Sequence, residues 1–91
     1  MTPNEQARVN AEKITRQQTL RAMEQLIVTL GGKSGYIKWL EAMPADAVLT
    51  NSGSVSSATL MDVAGDELAY AAATKAFAAY MAPVLAEMAG T

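Results

Sequence analysis

The chain has 91 residues, enough for one domain with a modest core, and a net charge of -2. It contains neither cysteine nor histidine, which excludes disulfides, zinc sites built on Cys or His, haem ligation, Ser-His-Asp triads and Cys-His dyads. Alanine supplies 18 residues against 28 of the larger apolar types, so the apolar half of the chain favours helices that approach closely. The charge is uneven: residues 1–41 carry +2 and residues 42–91 carry -4. That is far from the basic excess of a nucleic-acid binder. No N-terminal stretch joins a basic start to an apolar run, so no signal peptide is read and a cytoplasmic protein is expected. The composition predicts a small all-α, three-helix domain with no cofactor and no metal.

Residues 4 to 30 read as one helix, with Pro3 at its edge and Asn4 as the cap. In its second half Leu20, Met23, Leu26, Ile27 and Leu30 recur at steps of three and four and form one stripe. Its first half, residues 1–19, is polar, with Val9 and Ile14 as the large apolar residues of the helix there. That half is expected to fray unless it docks on something. Gly31-Gly32 ends the helix through a left-handed stop. Ser34 then caps a short middle helix over residues 35–43, which Pro44 terminates. Tyr36, Leu40 and Met43 share one face of it, and Trp39 points away from Ile37.

Residues 50–57, "TNSGSVSS", read as a flexible loop leading to a cap at Ser56 or Ser57. Residues 58–89 form the third helical region, which Gly65 divides into a short and a long piece. From Leu68 to Ala86 the only charge is Lys75. Phe77, Tyr80, Met81, Val84, Leu85 and Met88 form a helical stripe, with alanine on the opposite side. A membrane span is not expected, because Lys75 at mid-span would cost roughly 2.5–3.5 kcal/mol and Pro83 interrupts the helix.

Gly32-Lys33-Ser34 matches the end of a phosphate-binding loop. The glycine that motif needs five residues earlier is Ile27, and a helix stands where a strand should precede. Nucleotide binding is therefore not expected. Asp62, Asp66 and Glu67 are better explained as negative charge at a helix N-terminus than as a paired-carboxylate site. The segment "GGKSGYIKWLEAMP" resembles a stretch of the small terminase subunits of phages, which bind DNA and assemble as oligomers. The likeness covers 14 of the 91 residues and transfers no functional residue. It implies a bacterial or phage setting and a packaging role.

The reading is a non-enzymatic protein–protein interaction or regulatory module. Self-association is assigned to Phe77, Tyr80, Met81, Val84, Leu85 and Met88. A protein partner is assigned to Arg8, Val9, Lys13, Ile14, Arg16 and Trp39. The alternative is a DNA-binding regulator or phage-type DNA-packaging subunit that uses the basic face of helix 1, with Arg8, Lys13, Arg16 and Arg21.

Overall fold

The computed structural model describes residues 2–90. Three helices follow in order: α1 (Pro3–Glu41), α2 (Ser57–Ala64) and α3 (Glu67–Ala89). The described residues form no strand; an isolated antiparallel bridge joins Leu49 and Val55. The all-α class expected from composition is the class observed.

Helix α1 starts two residues earlier than an Asn4 cap would allow. The Glu5 N–H donates to Thr2 Oγ1 at 3.2 Å, so Thr2 is the cap and Pro3 takes the first helical position. The glycine pair interrupts the helix, as the expected left-handed stop requires: two helical segments meet in a kink at Gly32. Gly32 has φ 68° and ψ -165°, a region that residues with a Cβ essentially do not enter. Helical geometry resumes at once, so the short helix expected over residues 35–43 is the helical segment after the kink, which runs to Glu41. Ser34 lies within it, its hydroxyl 3.4 Å from Tyr80 Oη. Helix α2 is a further short helix. Ser56 caps it by accepting from the Thr59 N–H at 3.2 Å, and Gly65 ends it. Asp66 then caps α3, accepting from the N–H groups of Leu68 and Ala69 at 3.0 and 3.1 Å. Its charge there is favourable at a helix N-terminus.

Two sets of contacts fix the path. Gln17 Nε2 donates to the Ser57 carbonyl at 2.9 Å, while Lys13 lies against Gly65, so α2 runs back along α1. Arg16 meets Glu67 at 2.9 Å, and the Tyr80 hydroxyl donates to the Gly31 carbonyl at 2.9 Å, so α3 runs parallel to α1. Between α1 and α2 the chain is held by polar bonds. Residues 50–56 lie outside the helices and are tied down by Thr50 N–H to Ser54 O at 2.7 Å and Ser56 N–H to Val48 O at 2.9 Å, and Ser57 opens α2.

The core gathers Leu20, Met23 and Ile27 from α1, Trp39 and Met43 around its end, Val55, then Leu60 and Val63 from α2 and Ala73 and Met81 from α3. Each large side chain there contributes roughly 1.5–3 kcal/mol. Leu26 and Leu30, expected on the same stripe as Leu20, are left about half exposed at its flank. The core needs a narrower arc of α1 than the apolar residues supply.

Candidate interaction surfaces

Three surfaces carry the residues singled out by the sequence. The first is α3. Phe77, Tyr80, Met81 and Val84 turn inward and pack on the core, whereas Leu85 and Met88 are exposed. The stripe read as a self-association surface is therefore the side of α3 that holds it to α1. The opposite side is uncovered: of the 23 residues of α3, only Ala73 and Met81 are buried. That outer side is alanine, centred on Lys75. By length and composition α3 is also long and apolar enough to cross a membrane.

The second surface is the start of α1. Every residue from Thr2 to Glu12 is exposed, and Ile14 is about half exposed. Arg8 and Val9 thus lie on a projecting helix. Val9 also borders Lys13 and Arg16 in a small pocket at the α2–α3 turn, and those two are engaged within the chain. A Cβ added at Gly65 would sit 2.7 Å from Lys13 Cε, so the lysine stem lies across the α2–α3 turn. The Arg16 guanidinium bonds Glu67 and sits 4.8 Å above the Tyr70 ring. The hydrogen bond that Arg16 donates to Glu67 raises the Arg16 pKa; desolvation opposes it, and the charges of Glu67, Tyr70 and Glu12 add to the rise.

Trp39 is a correction. It has no exposed surface, and its ring stacks on Tyr36 with centroids 6.2 Å apart. It cannot contact a partner in this fold. The bend at Gly32 turns the last stretch of α1 over the core, which rotates its largest ring inward. Trp39 Nε1 has no hydrogen-bond partner among the described residues.

The third surface is a groove of about 760 Å³ between α1 and residues 52–54, with Val28 and Tyr36 on its walls and Arg21 and Lys33 at its rim. Buried Glu24 lies at its base. Its Oε1 accepts from Arg21 at 2.6 Å, and its Oε2 accepts from the Val55 N–H and the Tyr36 hydroxyl, each at 2.8 Å. These donors occupy the carboxylate, so it ties the 50–55 turn to α1. The Tyr36 hydroxyl also lies 2.8 Å from the Gly53 carbonyl, so one proton serves two acceptors. Burial, then the carboxylate of Glu24, push the Tyr36 phenol well above its ordinary pKa of 10.0.

One packing contact does not follow from the sequence pattern. Gly31 and Gly35 flank the kink at Gly32 and form a slot for the Tyr80 ring. A Cβ at Gly31 would stand 2.6 Å from Tyr80 Cε1, and one at Gly35 closer still. The i, i+4 glycine spacing in "GGKSG" was the available signal. Among the described residues no cluster of three His, Cys, Asp or Glu could hold a metal ion. No protein-family model matches this chain, and neither a curated protein nor a solved structure matches it.

Proposed function

We propose that this chain is a non-enzymatic interaction module that self-associates through the outer face of α3. The observation that carries the reading is an apolar helix covered on one side only. Its surface supports the same view. The accessible area is 5942 Å², whereas the scaling of folded monomers gives about 5,100 Å² at this mass. The excess is roughly 800 Å², near what each partner buries in an interface of standard size. A further protein partner at the projecting start of α1, using Arg8, Val9 and Ile14, fits the same reading, as does a cytoplasmic setting.

The DNA-binding alternative has less support, because Arg16 and Arg21 are spent on Glu67 and Glu24. Phosphate contacts would require breaking those pairs. The test is light scattering from micromolar to millimolar protein. A mass that rises to a dimer or beyond is expected; a monomeric mass throughout overturns the reading.

A further inference from the structure

We infer that the groove between α1 and residues 52–54 binds a small organic anion with an apolar body, of which a medium-chain carboxylate is the simplest. This site is separate from α3 and stands whether or not the chain self-associates. The groove holds about 760 Å³, within the roughly 300–1,000 Å³ of small-molecule sites. A second cavity, at the α2–α3 turn, holds about 90 Å³, too little for such a ligand. The two glycines of positive φ among the described residues, Gly32 and Gly53, border the groove, one on each wall. Each has open space where a Cβ would stand, so no side chain covers the opening at either point.

Charge selects the ligand. Glu24 is the acidic residue of the lining, and Arg21 at 2.6 Å matches its charge. The Val55 N–H and the Tyr36 hydroxyl hold its other oxygen, so the carboxylate is closed to an incoming cation. Lys33 has no such match. It is exposed at the rim, and among the described residues it forms no ion pair or hydrogen bond. The charge left over in the groove is therefore positive. Beside it the wall is apolar, with Val28 about half exposed and the half-buried ring of Tyr36. The other wall carries the hydroxyls of Ser52 and Ser54, linked to Thr50 Oγ1 at 2.9 and 2.8 Å. A compact inorganic anion would gain nothing from Val28, and an apolar amine would meet the Lys33 charge. An anion with a hydrocarbon body uses both.

Octanoate and octanamide share a hydrocarbon chain and differ in charge, so the pair isolates the anion. Both are titrated into the full chain by calorimetry at low salt, below the concentration at which octanoate forms micelles. Octanoate is expected to bind about two- to fivefold more tightly than octanamide, the range of one exposed ion pair. Lys33→Gln should erase that preference and leave octanamide unchanged. Val28→Glu should weaken both ligands about tenfold, since it removes the apolar wall. Circular dichroism confirms that the variants keep their helix content. On addition of octanoate, backbone amide shifts should centre on Val28, Gly32 and Gly53. Equal affinities for the two ligands overturn the inference, as does a preference that survives Lys33→Gln or an absence of octanoate binding. Shifts centred on residues 71–86 would place the ligand on α3 and overturn it too. A monomeric mass in light scattering, by contrast, bears on α3 alone and leaves the groove standing.

Discussion

Tyr80 and the two glycines beneath it show how much one side chain can dictate. Its ring occupies the space where Gly31 and Gly35 would carry a Cβ, and its hydroxyl bonds the Gly31 carbonyl. Gly35→Ala is therefore expected to destabilise by about 1–3 kcal/mol through overpacking. In a double-mutant cycle with Tyr80→Ala, chemical denaturation should show that most of this cost disappears. Gly32 has a different reason to be glycine: nothing lies within 4 Å of its missing Cβ, but its φ is 68°. Gly32→Ala should cost a similar 1–3 kcal/mol as backbone strain, with no rescue by Tyr80→Ala. Tyr36 predicts a pH effect. Its phenol is raised in the fold above 10.0, so the fold favours the neutral form. Below about pH 10 the phenol is neutral folded or unfolded, and its contribution is fully present. Above that pH the unfolded chain ionises first and stability falls. Melts through the alkaline range should show this decline in the parent and a smaller one in Tyr36→Phe; equal slopes would refute the assignment.

Helices were legible where the signal was local. The steps from Leu20 to Ile27 and from Phe77 to Val84 marked faces that are buried, Ser56 marked a start, and Gly65 marked a break. What the sequence could not show was which face meets what. An apolar stripe reads the same whether it packs on its own chain or on another, so the inward side of α3 passed for its association side. Arg16 read as a free cation because Glu67 is 51 residues away. Trp39 lies on the segment after the kink at Gly32, and spacing alone does not say which face of that segment packs inward. The start of α1 gives the test at this scale. Residues 2–12 are exposed throughout, whereas Lys13 and Arg16 clasp the α2–α3 turn. Removal of residues 1–12 should leave the melting temperature within a few degrees of the parent and abolish capture of any partner that uses Arg8 and Val9. Extending the cut to residue 16 should lower stability further, since it removes the Arg16 contacts with Glu67 and Tyr70.

The whole molecule is thin, with extents of 50 × 31 × 19 Å. A body of that shape keeps much of its apolar surface wet, so association should register as stability. Linkage requires the melting temperature to rise with protein concentration if the folded form pairs and the unfolded form does not. Calorimetry over a hundredfold range of concentration measures this directly, and a flat result would count against pairing.

The parallel course of α1 and α3 has a kinetic side. The contacts that join them close across 51 residues at Arg16–Glu67 and 49 at Tyr80–Gly31. Helical domains usually fold fast because their contacts are near in sequence. Here the last helix must find a mate about half a chain length away, after the intervening turn and α2 have folded back. Trp39, the sole tryptophan, is sealed in the core only once those pieces have met. Its emission therefore times the slowest search in the chain, and this fold should assemble more slowly than an up-and-down bundle of the same size.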